Sequence, residues 1–388
     1  MIRNIIKAIV DRLIYIESIF HSNKKHSTKR KVLILRKDGL GDCIIFYPLL
    51  SHYREYFKNC ELTLVYPKYF EDLAPLLKNM DNVIWFDHKK FSSNILYRRS
   101  FLISLKTAGY DTAIYPVFSR EKIGDFMMKM TGSSHIIGYN GDSSIQGEKN
   151  KKRGDKIYTR LIQSPSHTDN EFERNIFFAE QIINKRLEVP FPTININDIP
   201  EHKTQEIIRM YGLINKKFSI IFPGSGAIYK IWPSERFAEC IDHITDKGII
   251  PVICGSKNEV NLTKEIVRKS KTKSMIVNLA GNTDLATLSH LIYRCEFYFG
   301  SDTSILHLAV GLGKPTVAIV GSGSYGRFFP YGNKEKNITV FDLESTRKYP
   351  KGMWEKMYYT SIEPHPSIQA IKTEQAKEKI DQVINLIK

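Results

Sequence analysis

The chain has 388 residues, of which 42% are hydrophobic and 25% are charged, a composition typical of globular proteins with room for two domains of ordinary size. Lysine and arginine outnumber aspartate and glutamate by 57 to 41, which gives a formal net charge of +16 and indicates an anionic partner. The five cysteines are widely spaced without a CxxC pair, which argues against a zinc site or a disulfide framework and favours a reducing compartment.

Residues 2–20 carry isoleucine, leucine and phenylalanine at helical spacing, with charged residues between them. We expect an amphipathic helix over this stretch, followed by a polar linker to about residue 30. Because charged residues interrupt the apolar run, the stretch lacks the unbroken apolar core of a signal peptide. For the same reason we do not expect it to span a bilayer. Three roles stay open for the helix: contact with a membrane surface, packing on its own domain, or oligomerisation.

Two series of short apolar runs then alternate with helical patterns, which is typical of parallel α/β sheets. Pro48 lies inside the first helical stretch and predicts a kink or a late start there. The basic segment 146–156 is expected to form a solvated, mobile loop. The expected strands of the first series are 32–35, 62–66, 83–86, 112–117 and 135–139.

A proline-rich passage at 190–200 separates the two series and is the expected domain boundary. The predicted organisation is therefore a first domain at 31–195, a second at 196–371, and a final helix at 372–388 that is free to cross back to the first domain. Each domain is expected to be a Rossmann-like, doubly wound parallel sheet. The expected strands of the second series are 218–222, 249–254, 275–279, 297–300 and 316–320.

Glycine and small polar residues follow each strand of the second series. The carboxyl ends of parallel strands meet at one edge of the sheet, where ligands bind. Backbone N–H groups in such loops approach phosphates and ribose closely. These five loops read PGSG (223–226), GSKNE (255–259), AGNTD (280–284), SDTS (301–304) and GSGS (321–324).

The segment Gly39–Asp42, with the sequence GLGD, lies between the first strand and a helix. It is not GxGxxG, so the dinucleotide fingerprint is absent. Gly41 allows a ligand to approach closely. Asp42 either caps the helix or serves as a general base that takes the proton from an attacking hydroxyl.

The segment PGSGAIYKIWP follows the first strand of the second domain. Ser225, the amides of Gly224 and Gly226, and the Lys230 ammonium together suit a diphosphate leaving group. The alternative is an ordinary loop with a solvated lysine.

In GSDTSILHLA, either Asp302 or Thr303 is expected to cap a helix whose first amides bind phosphate. A carboxylate repels a diphosphate, so we assign Asp302 to ribose or sugar hydroxyls. His307 is either a core histidine or a phosphate or sugar contact. Arg120 and Lys122 either meet an anionic acceptor or belong to a solvated basic face.

Taken together, these segments resemble the signatures of glycosyltransferase family 9, the bacterial heptosyltransferases. The resemblance covers about residues 31–385. It is carried by KVLILRKDGLGDCIIFYPLL, EFERNIFFAEQI, PGSGAIYKIWPSERFAECI and GNTDLATLSHLIYRCEFYFGSDTSILHLAVGLGKPTVAIVGSG.

The resemblance implies a GT-B fold with two Rossmann-like domains facing a cleft, and an inverting, metal-independent transfer without a cofactor. The catalytic aspartate of the family falls on Asp42 and its phosphate-binding lysine on Lys230. Its donor-binding Asp-Thr-Gly falls on Asp302, Thr303 and Ser304, and its histidine on His307. Ser304 departs from the usual glycine, and the helix at 1–30 is a second departure.

ADP-heptose is the donor expected from the family, and the acceptor is an anionic glycan or glycolipid of the lipopolysaccharide, O-antigen or capsule type. The expected location is cytoplasmic, with the inner membrane surface as a further contact of residues 2–20. A sugar-nucleotide epimerase or hydrolase of similar fold is the alternative enzyme. The positive charge alone suggests a nucleic-acid-binding protein, but the sequence has no helix–turn–helix, zinc-finger or RNP pattern, so no nucleic-acid partner is expected.

Overall fold

The structure is a computed structural model. It describes residues 2–21, 29–165, 170–190, 194–201, 203–329, 336–342, 344 and 363–388. The chain forms two compact units. The first comprises residues 1–168 and 172–189, and the second comprises residues 169–171 and 190–388.

The first unit is built on a six-stranded, fully parallel sheet in the order β3-β2-β1-β4-β5-β6. The central strand β1 is apolar throughout its buried length because helices cover both faces of such a sheet. The strands are β1 Lys31–Leu35, β2 Glu61–Pro67, β3 Asn82–Phe86, β4 Thr112–Tyr115, β5 His135–Tyr139 and β6 Arg160–Ile162.

Pro48 interrupts the first crossover as predicted, because one helix ends before it and the next begins directly after it. A 3₁₀ helix at Lys68–Leu77 follows β2. The helices of this unit are α1 Ile2–Ile19, α2 Leu40–Phe46, α3 Leu49–Tyr56, α4 His88–Ser93, α5 Ile95–Thr107, α6 Lys122–Thr131, α7 Glu148–Asp155 and α8 Glu171–Ile183.

The first helix, α1, packs on the first unit. Asp11 accepts two hydrogen bonds from Arg98 of α5, at 2.6 and 2.7 Å. Ile14 is buried in the apolar cluster that includes Phe101 and Leu102. Of the three roles left open by the sequence, packing on its own unit is therefore observed. In the part of the chain that the structure describes, no helix combines the length and apolarity needed to cross a bilayer.

The second unit repeats the plan with a parallel sheet in the order β12-β11-β10-β7-β8-β9. Its strands are β7 Phe218–Phe222, β8 Ile250–Ile253, β9 Val277–Asn278, β10 Tyr298–Ser301, β11 Thr316–Ile319 and β12 Asn337–Val340. Its helices are α9 Thr204–Met210, α10 Ser234–Asp246, α11 Val260–Lys269, α12 Leu285–Arg294, α13 Ser304–Gly311, α14 Pro366–Gln369 and α15 Thr373–Leu386. Short 3₁₀ helices lie at Ile196–Asp198, Ile228–Lys230, Lys257–Glu259 and Lys273–Met275.

The final helix, α15, packs in the core of the second unit. Ile380, Val383 and Ile384 are buried in one apolar cluster with the α10 residues Phe237 and Ile241. The Trp232 indole, which is fully buried, donates to the Ile371 carbonyl at 3.0 Å just before this helix. The sequence left this helix free to cross to the first domain, and the structure instead gives it this place in the second unit.

The predicted α/β class with two doubly wound parallel sheets is confirmed, with two kinds of difference. The edge strands β6 and β12 were not predicted. The basic segment 146–156 was predicted to be a loop, which is wrong, because residues 148–155 form α7. Contacts with the rest of the unit stabilise this helix: Asp155 pairs with the buried Arg120, and Gly154 lies against Asp125.

Candidate active site

The segment GLGD forms the turn from β1 into α2. Gly39 is the N-cap residue of α2, and no side chain caps this end of the helix. Asp42 lies in the first turn of α2 and is half-exposed. Within the part of the chain that the structure describes, no hydrogen bond or ion pair holds its carboxylate. Asp42 therefore does not cap the helix, and its carboxylate lies without a described partner after the carboxyl end of β1.

Gly39 and the Asp42 carboxylate lie against each other. A β-carbon added at Gly39 would lie 2.8 Å from Asp42 Oδ2, and apart from the two chain neighbours no other described residue comes within 4 Å of that position. Gly39 has φ −63° and ψ 154°, a conformation that any residue adopts. Glycine at this position thus makes room for the Asp42 carboxylate and relieves no backbone strain.

Arg36 anchors the same turn from inside the unit, and the sequence did not single it out. It is fully buried at the end of β1 and pairs with Asp38 at 3.1 Å. Its guanidinium donates to the Pro116 carbonyl at 2.7 Å, to Asn175 Oδ1 at 3.1 Å and to the Asp42 carbonyl at 3.5 Å. A buried arginine with these partners fixes the backbone of the turn. An arginine right after a buried strand was the available signal.

Arg120 and Lys122 have different surroundings. Arg120 is buried and forms ion pairs with Asp125, at 2.9 Å, and Asp155. Its guanidinium also lies over the Tyr158 ring. Because two carboxylates neutralise its charge, Arg120 serves the packing of α6 and α7, and acceptor binding has no support from its surroundings. Lys122 is exposed at the start of α6, where contact with an acceptor stays a prediction.

In the second unit, three predicted loops bring Lys230, Asp302 and Ser324 together. The Lys230 ammonium lies 2.6 Å from Asp302 Oδ2, and the Ser324 hydroxyl donates to the same oxygen. Asp302 follows β10, Lys230 closes the loop after β7, and Ser324 lies in the loop after β11. Sequence reasoning singled out the loop of Ser324 but not this side chain.

The pKa of Asp302 reflects this pairing. Burial by itself raises the pKa of this carboxyl group. The Lys230 charge, and the hydrogen bonds from Lys230 and Ser324, outweigh burial, so the pKa is lowered from its usual value. Asp302 is therefore a carboxylate at neutral pH and holds the lysine ammonium in place. Lys230 keeps a fifth of its side chain exposed, so it remains accessible to a ligand.

The helix that follows β10 begins as the sequence predicted. Of the two expected caps, Thr303 is the one formed: its hydroxyl accepts from the Ile305 amide at 3.3 Å. Ser304 is the first residue of α13 and is half-exposed, so its hydroxyl stands where the family usually has glycine.

His307 lies inside the second unit on the next turn of α13. It is buried, and its ring is stacked on Phe329 with an interplanar angle of 8°. Burial is the main cause that lowers its pKa to about 4, and the Lys230 charge adds to this against the opposing effect of Asp302. His307 is thus a neutral core histidine beside the charged pair.

The PGSG loop is held close to its neighbours. A β-carbon at Gly224 would lie 1.8 Å from Glu259 Oε1, whereas one at Gly226 would meet no described residue within 4 Å apart from its chain neighbours. The Ser301 hydroxyl donates to the Pro223 carbonyl at 2.8 Å and joins this loop to β10. Ser225 is occupied locally, since its hydroxyl accepts from the Ala227 amide at 3.3 Å.

A cavity of about 350 Å³ lies where β8 and β9 end, in the size range of small-molecule sites. It is lined by Lys257, Val260, Lys264, Asn278, Ala280, Gly281 and Asn282. Two of the predicted glycine-bearing loops therefore contribute to the lining of this cavity, although sequence reasoning singled out no individual residue among those that line it.

The family model of glycosyltransferase family 9 (heptosyltransferase) matches residues 98–358. The chain belongs to glycosyltransferase family 9. The lipooligosaccharide heptosyltransferase 2 of Haemophilus influenzae is 24% identical over 366 residues, which cover 91% of this chain and 99% of that relative. This family 9 protein is therefore a glycosyltransferase.

Solved structures support the fold of the family 9 chain. The Escherichia coli ADP-heptose lps heptosyltransferase II has a TM-score of 0.69 at 19% identity and covers 92% of this chain and 99% of its own. The E. coli heptosyltransferase WaaC with ADP-2-deoxy-2-fluoro heptose has a TM-score of 0.62 at 16% identity and covers 91% and 99%. With the two parallel sheets, these likenesses confirm the expected GT-B class.

Among the predicted site residues of this family 9 enzyme, the structure brings Lys230, Asp302 and His307 together in the second unit. Thr303 and Ser304 adjoin them at the start of α13. Asp42 and Gly41 belong to the first unit. Within the described ranges, no group of three or more His, Cys, Asp or Glu side chains is placed to hold a metal ion.

Proposed function

We propose that this glycosyltransferase transfers heptose from ADP-heptose to a hydroxyl of a lipopolysaccharide core acceptor, with inversion and without a metal ion. The likeness to the H. influenzae lipooligosaccharide heptosyltransferase supports the sugar and the acceptor class. The donor is supported by the likeness to WaaC, whose structure was solved with ADP-2-deoxy-2-fluoro heptose. The Asp42 carboxylate, which is half-exposed and held by no described group, carries the catalytic part of the proposal.

Asp42 acts as the general base. Its carboxylate takes the proton from the acceptor hydroxyl while that oxygen attacks the anomeric carbon. The bond from the anomeric carbon to the diphosphate oxygen breaks, and ADP leaves with the bonding electron pair. A single displacement of this kind inverts the anomeric configuration. Because Gly39 leaves room beside the carboxylate and Arg36 fixes the turn, the base is preorganised.

Lys230 stabilises the departing diphosphate. Asp302 orients the Lys230 ammonium and balances part of its positive charge. The exposed part of the lysine side chain remains accessible to the diphosphate. The backbone amides at the start of α13 and in the PGSG loop supply further donors. The Asp302 carboxylate then accepts from a hydroxyl group of the sugar or ribose, consistent with its charge at neutral pH.

The cavity at the ends of β8 and β9 receives the nucleoside. Its size suits a base or ribose, and its polar lining side chains, including Asn278 and Asn282, offer amide donors and acceptors. The glycosyltransferase works on the cytoplasmic side, at the surface of the inner membrane. All five cysteines are free thiols, in keeping with a reducing compartment.

The base is tested by Asp42→Asn. We expect turnover with ADP-heptose and a core acceptor to fall by roughly 10²–10⁴, while the dissociation constant of the donor stays unchanged. Glu55→Gln, which also removes one acidic charge from the first unit at an exposed position, is the matched control. Normal turnover of Asp42→Asn would remove this carboxylate from the mechanism.

The donor and the stereochemistry are tested on the same preparation. A thermal-shift series with ADP-, UDP- and GDP-sugars should show the largest stabilisation with ADP-heptose. The anomeric configuration of the product, read by NMR, should be opposite to that of the donor, and transfer should continue in EDTA. A product that keeps the configuration of the donor would exclude single displacement, and loss of transfer in EDTA that a divalent metal restores would exclude metal independence.

A further inference from the structure

The first helix presents its apolar stripe to the outside of the first unit. Ile9, Leu13 and Ile16 of α1, and Phe20 directly after it, recur every three or four residues. All four are exposed, Leu13 by 60% and Phe20 by 84%. An amphipathic helix on the surface of a globular domain normally turns such a stripe towards the core. In α1 the arrangement is reversed.

The opposite face of α1 attaches the helix to the protein. Asp11 is held by the buried Arg98 of α5 at 2.6 and 2.7 Å. Ile14 and Ser18, one and two turns further along the same face, are buried. The bidentate ion pair between Asp11 and Arg98 fixes this face of α1 against the first unit. The opposite, apolar face is therefore turned towards solvent. It is a preformed apolar surface.

The charges around this stripe favour an anionic partner. Both acidic residues of α1 are already paired, Asp11 with Arg98 and Glu17 with Arg99. Arg12 is exposed beside the stripe, and Lys129 of α6 lies over the Tyr15 ring. The whole chain carries +16. Cations beside a membrane-binding surface attract anionic lipid headgroups.

Self-association is the other use of an exposed apolar face, and the observations favour it less. The described part of the stripe comprises four side chains, an area of a few hundred Å², whereas a stable interface buries about 800 Å² on each partner. Pairing two copies through this face would also bring the Arg12 side chains of the two copies close together, where their positive charges repel.

We propose that the outer face of α1 docks onto an anionic membrane surface, with Leu13, Ile16 and Phe20 inserted at the headgroup boundary. The helix lies in the plane of the interface and stays attached to the first unit through Arg98. This rests on the proposed function, since the lipid-linked acceptor lies in that membrane. The enzyme thereby meets its acceptor on a surface, whereas the nucleotide sugar arrives from solution.

The proposal is tested by flotation of the full chain with vesicles. One set contains about one third phosphatidylglycerol in phosphatidylethanolamine, and the other contains phosphatidylcholine only. We expect binding to the anionic set that weakens with salt, and a loss of roughly tenfold or more for Leu13→Gln/Ile16→Gln. Met210→Gln/Met275→Gln, at exposed apolar positions of the second unit, is the matched control and should bind like the wild type.

Transfer to a water-soluble core fragment separates this proposal from the proposed function. Leu13→Gln/Ile16→Gln should keep normal turnover on that fragment and a normal melting temperature. Equal flotation of this variant and the wild type would overturn the proposal of membrane docking. It would also be overturned if the wild type bound no vesicles and sedimented as a dimer, and the variant sedimented as a monomer. If the wild type transfers no sugar to the fragment but still floats with anionic vesicles, the proposed function is wrong and the proposal of membrane docking is retained.

Discussion

The two charged groups that the mechanism needs are held in opposite ways at the scale of single residues. The Asp42 carboxylate has no described partner and is positioned by space, because Gly39 leaves room for it. The Lys230 ammonium is positioned by charge, because Asp302 lies 2.6 Å away. A base must be able to accept a proton, and a counter-ion would impede this. A phosphate ligand needs only a fixed cation, which a partner can orient without neutralising it fully.

Gly39→Ala tests the role of space directly. The new methyl group would lie 2.8 Å from Asp42 Oδ2, and beyond its two chain neighbours it would meet no other residue of the described ranges within 4 Å. The carboxylate must therefore move, while the backbone stays unstrained. Misplacing a catalytic group by about 1 Å costs on the order of 10²-fold in rate. We therefore expect turnover to fall by one to two orders of magnitude (roughly 10–100-fold), with the donor dissociation constant and the melting temperature unchanged.

The double variant Gly39→Ala/Asp42→Asn supplies the control for this prediction. If glycine acts through Asp42, the double variant should be no slower than Asp42→Asn alone, because neighbouring residues that serve one function are not additive. Independent, multiplying losses in the two single variants would show that Gly39 acts elsewhere.

At the scale of elements, the loop after β7, which belongs to the proposed donor site, is held in place by packing. Gly224 lies against the Glu259 carboxylate, which accepts from the Ser256 amide at 2.6 Å and closes a capping box. The loops after β7 and β8 are therefore packed on each other through a glycine. Two residues further on, Gly226 is exposed with open space around it.

This contrast gives a matched pair of variants within one loop. Gly224→Ala places a β-carbon 1.8 Å from Glu259 Oε1, so the loop or the capping box must shift, at a cost of typically 1–3 kcal/mol for overpacking. We expect weaker donor binding in calorimetric titration and a lower melting temperature. Gly226→Ala should change neither. Equal donor affinities for the two variants would show that the packing of this loop does not shape the site.

Most elements of the fold could be predicted from the sequence because strands buried on both faces are continuous apolar runs. The runs at 32–35 and 218–222 correspond to β1 and β7, which are central in their sheets. The strands that escaped prediction, β6 and β12, are at sheet edges, where burial is partial and the pattern is weak. The helix α7 escaped because it has hardly any apolar residues and depends on tertiary contacts such as that between Arg120 and Asp155.

The site could be predicted only in part. The small-residue loops at strand ends marked the segments that the structure brings together around Lys230 and Asp302, because topology brings the carboxyl ends of parallel strands to one edge. The pairing of Lys230 with Asp302 joins residues 72 positions apart, and no local pattern encodes such a distance. An acceptor-binding role was predicted for Arg120 because arginine binds anions. The sequence alone does not show that Asp125 and Asp155 form ion pairs with this side chain.

At the scale of the whole molecule, the proposed donor site contains buried ionisable groups whose protonation affects the stability of the second unit. Asp302 and His307 are both buried on adjoining turns, one charged and one neutral at pH 7. The pKa of Asp302 is lowered, so its contribution to stability is present above the usual carboxyl value and is lost only in strong acid. The pKa of His307 is lowered from 6.5 to about 4. Its effect on the stability of the second unit therefore appears at a higher pH than that of Asp302.

The stability of the second unit should therefore decrease as the pH falls from 6.5 towards 4. In that range the unfolded chain binds a proton at His307 that the folded chain does not, which favours unfolding by about 2 kcal/mol between pH 7.5 and pH 5. We expect the calorimetric melting temperature of wild-type protein to fall by several degrees over this interval. His307→Gln lacks the titrating ring and should show a smaller fall, whatever its melting temperature at pH 7.5. His243→Gln, at a part-exposed histidine of the same unit, is the control and should retain most of the wild-type dependence. An equally steep fall in His307→Gln would mean that the buried ring is not the group that senses acid.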